Sequence, residues 1–393
     1  MLSAALGLMV AALLVLAAAQ LAAVVKGSIA LRRRLRASSQ DFDSVLLKSA
    51  MVHGVSVVCV ADDASPPWRA HVRRLLDLHF GSHEVVLVVD ETAGWSEELR
   101  LEREERTVGE ELPGARVRGY YLSRDPIRVL VVEVEASGAA QAWNAGVNAA
   151  QYPVIGLVDR EAEFIPEILL RLIRPMLQEE RVLAVCGLAP GPAAVGLVGR
   201  MNALHTLGSW LEWCGRFGER DRLALLPGAG MLVKRETIVA AGGIGEKSRE
   251  LFLDLPAQRR VEFVPAAVSC RRAATGWADV RRQWARDRWH TATVLPALLE
   301  TLAYLLAAAG VITGTIPWAL AGLVLLSTAG AGLVISMAAV VLREMAEASG
   351  LAPDELAALF FVAIAENLGY RPVRNLWIGV RFVKRHFGAR PVH

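Results

Sequence analysis

The hydrophobic positions fall into long uncharged runs at the two ends of the chain and short runs between them. Met1 to Val25 contains no charged side chain. At about 1.5 Å rise per residue, such a helix crosses a hydrocarbon core of about 30 Å. The apolar positions then shorten to strand length at Val55–Val60, Glu84–Val89, Val129–Val134, Val154–Val158 and Val182–Leu188. Trp68–Leu78, Ala139–Ala150 and Pro166–Leu177 lie between them and read as helices. This alternation predicts an α/β fold, a mostly parallel sheet with helices on both faces. Thr301–Leu342 is a second uncharged stretch, long enough for two spans, with Gly314, Pro317 and Trp318 marking a turn. Glu355–Ala365 is apolar but too short to span, and fits an interfacial or re-entrant helix. From Pro372 to Phe387, Val373, Leu376, Trp377, Val380 and Val383 recur at helical spacing against Arg374, Arg381, Lys384 and Arg385. That pattern predicts an amphipathic helix lying on a membrane surface.

The chain therefore divides into an anchor over 1–25, a basic linker over 26–50 and a globular domain over 51–275. An aromatic-basic segment over 276–293, a transmembrane hairpin over 294–342 and an interfacial region over 343–393 follow. Composition agrees. Hydrophobic residues make up 54% of the 393 positions, yet 21% are charged, and the mean hydropathy is +0.36. A charged globular part with separate lipid-facing segments fits these values better than a uniformly apolar chain.

The net charge of +3 is too small to point to nucleic acid. Its distribution is more informative. Arg32, Arg33, Arg34 and Arg36 follow the first apolar run, and Arg281, Arg282, Arg286 and Arg288 precede the second. Basic clusters beside apolar spans predict a multi-pass protein of the cell membrane, with its amino terminus outside and the globular domain in the cytosol. A cleaved signal peptide is the competing reading of the first run, since Ala17-Ala18-Ala19 suits a signal peptidase, but no positive residue precedes Lys26. Cys59, Cys186, Cys214 and Cys270 form no CxxC pair and read as reduced thiols.

Ligands of parallel sheets bind beyond the carboxyl ends of the strands. Two such ends are acidic: Val89 is followed by Asp90-Glu91, and Val158 by Asp159-Arg160-Glu161. Either could be a helix cap or a solvated turn. Asp159 and Glu161 together could also hold one divalent cation, Mg²⁺ or Mn²⁺, through hard oxygen ligands.

From about Val55 to the carboxyl terminus, the chain resembles the membrane-bound family 2 glycosyltransferases, which have the GT-A fold. Asp90-Glu91 looks like the family's acidic strand end that contacts the nucleotide base. The segment Gly138-Ala139-Ala140-Gln141-Ala142-Trp143-Asn144-Ala145-Gly146 is similar to its G-K-x-x-A-L-N-x-G helix, and Asp159-Arg160-Glu161 stands in place of its DxD metal motif. Gly228 to Arg235, followed by Gly242-Gly243, resembles its acceptor-side segment. Glu366-Asn367-Leu368-Gly369-Tyr370-Arg371 looks like the E-N-x-G-Y-R of some members.

The chain also departs from the pattern. Ala139 replaces the lysine, and Val60-Ala61-Asp62-Asp63-Ala64 replaces P-x-x-N-E. The T-E-D that carries the acceptor base is not evident. Glu250 falls nearest its position and Asp254 is the second candidate. QxxRW is split between Gln283-Trp284-Ala285-Arg286 and Arg288-Trp289, and these residues read equally as an interfacial aromatic-basic belt.

The resemblance implies transfer of a sugar from a nucleotide diphosphate sugar to a membrane-proximal acceptor, a lipid or a growing glycan. Asp90, Glu91 and Asn144 would bind the nucleotide, and Asp159 and Glu161 the metal. Glu250 or Asp254 would be the base, and Gln283, Arg286, Arg288 and Trp289 would contact acceptor or phosphate. A catalytically degenerate subunit of an envelope-polysaccharide complex is the rival reading. A transporter is disfavoured because Thr301–Leu342 carries no charge.

Overall fold

The computed structural model describes residues 2–37, 54–123, 128–158, 162–188, 196–216, 222–224, 230–247, 250–254, 260–271, 274–286, 291–347 and 353–387. The chain separates into two compact units. One comprises Met1–Arg32, Gly191–Gly218 and Ala273–His393, and the other Arg33–Pro190 and Glu219–Arg272. The helix Gly196–Arg216, inside the 51–275 stretch by sequence, groups with the apolar helices.

The second unit is built on strands β1 (Val55–Ala61), β2 (His83–Val89), β3 (Glu102–Glu104), β4 (Val117–Leu122), β5 (Val129–Val134), β6 (Val154–Leu157), β7 (Ala162–Phe164), β8 (Val182–Leu188), β9 (Arg222–Ala224), β10 (Met231–Lys234), β11 (Gly245–Lys247), β12 (Glu250–Asp254) and β13 (Arg260–Arg271). Ten of them form one sheet in the order β3-β4-β5-β2-β1-β6-β10-β8-β13-β7, and β11-β12-β9 form a small second sheet. The centre, β5-β2-β1-β6, is parallel. β10 runs antiparallel between β6 and β8, and β13 is parallel to β8.

This is the mostly parallel sheet that the sequence predicts. Its central strands are mostly apolar because both faces are covered, and the buried Ser56 of β1 and Glu84 of β2 satisfy each other with a 2.6 Å hydrogen bond. Val55, Val57, Val58 and Cys59 of β1 and Val85 to Val88 of β2 are all fully buried. The Pro66–Leu76 helix buries Trp68, His71, Val72 and Leu75 at helical spacing. The Ala139–Ala149 helix presents small residues to the sheet. A Cβ on Gly146 would stand 2.5 Å from Val58 and 2.8 Å from Val88, so only glycine allows this close approach. Burial pushes the Cys59 thiol up to about 12 and raises that of Cys186 as well; both are free and inert as nucleophiles.

The first unit is helical. Leu2–Ala37 is one 36-residue helix. Thr291–Ile312 and Trp318–Leu325 form the expected hairpin, turning at Gly314, whose φ is +70°. The second arm continues through a π-helical turn, Leu326–Gly330, into Ala331–Glu347. Pro353–Ala365 likewise continues through a π turn, Glu366–Tyr370, into Arg371–Phe387. Among the described residues, three helices are long and apolar enough to cross a membrane: Gly7–Gly27, Val294–Ile312 and Trp318–Ala338. The second of these starts before Thr301 and takes in Glu300.

Candidate functional site

In the sheet unit, β1 and β2 pair in register with Ala61 opposite Val89. The next residues, Asp62 and Asp90, therefore leave the sheet at one level on its carboxyl edge. Asp62, Asp63, Asp90 and Glu91 are all exposed there. Asp63 has a local task, since its Oδ1 accepts a hydrogen bond from the Ser65 amide at 3.1 Å, just before the Pro66–Leu76 helix. β6 pairs Leu157 with Val58, and the Val158 amide donates to the Val58 carbonyl at 3.2 Å. Residues 159–161 then lead to β7, so the metal assignments Asp159 and Glu161 lie outside the described residues. Among the described residues no three His, Cys, Asp or Glu side chains converge on a metal site. The exposed acids of this edge are hard oxygen donors, which suit Mg²⁺ or Mn²⁺ rather than a soft metal.

Asn144 is engaged by backbone. It is buried, its Nδ2 donates to the carbonyls of Pro113 (3.2 Å) and Ile244 (3.1 Å), and its Oδ1 accepts from the Ile244 amide at 2.8 Å. It thus ties the Gly138–Gly146 segment to the Gly242-Gly243 turn, about a hundred residues away in sequence. The turn needs its glycines: φ is +75° and +99° at the two positions, and a Cβ on Gly243 would press within 2.9 Å of Asn144. Asn148 makes a second clamp on the same helix, exchanging hydrogen bonds with the amide and carbonyl of Leu112.

The candidate bases sit in the small sheet. Glu250 opens β12 opposite Lys247, and Asp254 closes it opposite Arg222 with its carboxylate exposed. Glu246 on β11 comes close to Gly138, at the start of the Ala139–Ala149 helix. Gly228 and Ala229 lie outside the described residues. Further along that segment, Lys234 pairs with Val154, at the amino edge of the sheet. Arg235 there caps the carboxyl end of the Ala139–Ala149 helix, donating to the carbonyls of Ala150 at 2.5 Å and Asn148 at 3.3 Å. This basic pair is on the edge opposite Asp62 and Asp90; Arg235 braces that helix, and Lys234 donates to the Glu180 carbonyl at 2.9 Å.

In the helical unit, Gln283 is buried and accepts a hydrogen bond from Asn202 at 2.9 Å. Asn202 in turn accepts from the Tyr370 hydroxyl at 2.6 Å, and Tyr370 accepts from the Trp284 indole at 3.0 Å. The QxxR and E-N-x-G-Y-R segments are thereby joined through Asn202, which carries no recognisable signal in the sequence. Glu366 accepts from Ser336 and from Asn367, and lies 3.1 Å from Nδ1 of His205. Burial, followed by the nearby Arg374 charge, holds His205 down at about 4, so the imidazole is neutral and its contact with Glu366 is a hydrogen bond. Trp377 lies under the guanidinium groups of Arg281 (5.5 Å) and Arg381 (5.8 Å). Arg288 and Trp289 lie outside the described residues, as does the side chain of Arg286.

No family model and no curated protein matches the chain. Among solved structures, it is similar to the mannosyltransferase PcManGT from Pyrobaculum calidifontis, in complex with GDP-Man and Mn²⁺. The identity is 14%, over 96% of this chain and 100% of that one, with a TM-score of 0.41. It is also similar to glucosyl-3-phosphoglycerate synthase from Mycobacterium tuberculosis, in complex with Mn²⁺, UDP-glucose and phosphoglyceric acid. There the identity is 15%, over 50% of this chain and 61% of that one, with a TM-score of 0.30.

Proposed function

We propose that the chain is a membrane-anchored glycosyltransferase of the family 2, GT-A type, moving a sugar from a nucleotide diphosphate sugar to a lipid or glycan acceptor at the membrane. The observation that carries this reading is the shared carboxyl edge of β1 and β2, where Asp62, Asp63, Asp90 and Glu91 stand exposed beyond a parallel sheet. The same chain has three helices able to span a bilayer. Asp90 and Glu91 would receive the base and ribose. Asn144 would act through the Gly242-Gly243 turn, because both ends of its amide are engaged by backbone.

Asp159 and Glu161 would hold a divalent cation, which when bound offsets charge on the leaving diphosphate. Glu250, with Asp254 as second candidate, would take the acceptor proton. Gln283, Arg286, Arg288 and Trp289 keep the acceptor or phosphate role that the resemblance gives them. The Gln283 side-chain oxygen is engaged by Asn202, so such a contact would come from its amide nitrogen. The basic clusters favour a cytosolic globular domain with the amino terminus outside.

A second reading is a catalytically degenerate subunit that binds a nucleotide sugar without turning it over. Ala139 in place of the family's lysine favours it. The deciding experiment is release of UDP or GDP from the corresponding sugar nucleotides by the full chain in nanodiscs with Mn²⁺. Turnover supports the transferase. Nucleotide binding without turnover supports the subunit, and neither binding nor turnover removes both.

A further inference from the structure

Within the helical unit, the Arg371–Phe387 helix is held to the Thr291–Ile312 helix by one face. Asn375 and Ile378 are buried there, Asn375 donates to Glu300 at 2.6 Å, and a Cβ on Gly379 would meet Leu298 at 3.3 Å. Val373, Leu376, Val380 and Val383, spaced by three and four, form a stripe on another face, and each is between 45% and 51% exposed. Trp377, Arg381 and Lys384 each follow a stripe residue by one position, so a basic edge runs beside the apolar stripe. The helix contains no acidic residue. An open apolar stripe with a basic edge, on a helix fixed to a membrane-length one, suits the boundary between headgroups and acyl chains.

A second helix, Trp277–Arg286, completes the basic edge. The Arg281 guanidinium lies 5.5 Å from the Trp377 ring centroid, and that of Arg381 lies 5.8 Å from it. Arg381 also donates to the Ala285 carbonyl at 3.0 Å, which joins the two helices beside the indole. Arg281 and Arg381 are exposed, and among the described residues neither forms a salt bridge. Their neighbour Arg282 differs, because Asp279 neutralises it at 2.7 Å. Two guanidinium groups gathered on one ring repel each other. An anion accepting hydrogen bonds from both would relieve that repulsion, and the arginine fork matches a phosphate.

We propose that Arg281 and Arg381, gathered on Trp377, clasp the phosphate of an anionic phospholipid whose acyl chains cover Val373, Leu376, Val380 and Val383. Charge selects the class, since a choline head would bring a third cation to the pair. The apolar stripe selects a lipid, because a free phosphate or a nucleic acid leaves it uncovered. A helix that merely lies on a surface needs no second helix, whereas this site takes one arginine from each. The inference rests on the membrane-spanning reading and not on turnover.

The test uses the full chain in nanodiscs of phosphatidylcholine and phosphatidylglycerol at equal mole fractions. Native mass spectrometry counts the retained lipids, and the melting temperature follows the fold. Phosphatidylglycerol should be enriched at least about tenfold, the scale of two arginines at an anionic headgroup. Arg281→Gln should lower that enrichment about fivefold, the scale of one such cation. Arg281 makes no hydrogen bond among the described residues, so this variant should melt as the wild type does. Arg381→Gln should lower the enrichment at least as far, and Arg381→Lys, which keeps the charge, should recover most of it. Arg282→Gln removes a cation that Asp279 already neutralises, and should leave the enrichment unchanged. Equal retention of the two lipids by the wild type, wild-type enrichment in Arg281→Gln, or an equal loss in Arg282→Gln overturns the clasp. A chain that selects phosphatidylglycerol but turns over no sugar nucleotide keeps the lipid site and removes only the transferase reading.

Discussion

The side-chain amide of Asn144 exchanges hydrogen bonds with both the carbonyl and the amide of Ile244, across a hundred residues of sequence. A helix and a two-glycine turn are fixed to each other by one buried side chain. Replacing it with aspartate keeps the acceptor but turns the donor into a second acceptor facing the carbonyls of Pro113 and Ile244. We expect Asn144→Asp to cost about 2–4 kcal/mol, the scale of a buried, mismatched polar group. Denaturant unfolding of the purified protein measures this, and a loss below about 0.5 kcal/mol would show that the clamp is not structural.

Tyr370 holds together Asn202 and Trp284. Tyr370→Phe leaves the ring packing intact but strands a buried indole N–H and an amide oxygen. The expected cost is about 2 kcal/mol, seen as a lower melting temperature in detergent. Asn202→Leu should show a similar loss. The double variant should lose less than the sum of the two, because both remove the same bond.

His205 predicts a pH dependence. Its folded value lies at about 4, below the ordinary 6.5 of the unfolded chain. Between these values the unfolded state binds a proton that the folded state refuses. The stability contribution is therefore complete above pH 6.5 and is lost progressively as pH falls toward 4. Melting temperatures from pH 7 to 4.5 should fall more steeply for the wild type than for His205→Gln. Parallel profiles would place the sensitivity elsewhere.

Metal and nucleotide assignments separate by variant. Asp159→Asn should abolish Mn²⁺-supported binding of UDP or GDP while leaving the melting temperature within about 1 °C. Asp90→Ala should weaken nucleotide binding by about tenfold whether or not Mn²⁺ is present, since a base contact is independent of the diphosphate. Calorimetry with and without the metal distinguishes them. Unchanged metal-supported affinity in Asp159→Asn removes that residue from the site.

For an active enzyme, Glu250→Gln should lower turnover by about a hundredfold or more, the usual scale for a lost general base, with little change in nucleotide affinity. Asp254→Asn is the comparison, because Asp254 closes the same strand with an exposed carboxylate. Full activity in both variants would exclude β12 as the source of the base.

Local sequence determined those elements whose pattern is set by the nearest neighbours. The valine runs of β1, β2, β5 and β8 are largely buried and so are mostly apolar. Val294–Ile312, with Glu300 as its one charged residue, and the uncharged Trp318–Ala338 declare themselves by length and apolar composition, and Gly314 and Pro317 mark the turn between them. β10 is a short strand that becomes central only by inserting antiparallel between β6 and β8. Nothing within its four residues says so.

Residues whose meaning depends on distant partners were decided by the tertiary structure. Asn144 reads as a nucleotide ligand by position in a motif, but its amide is engaged by backbone from two other segments. Gln283 and Tyr370 belong to separate motifs and meet through Asn202. Glu300 and Arg371 lie 71 residues apart in sequence and form one ion pair in the helical unit. The physical reason is common to all three cases. Backbone conformation and burial of apolar runs are set by periodicity over a few residues. A buried polar group must find its partner wherever the fold brings one, and that separation is not encoded locally.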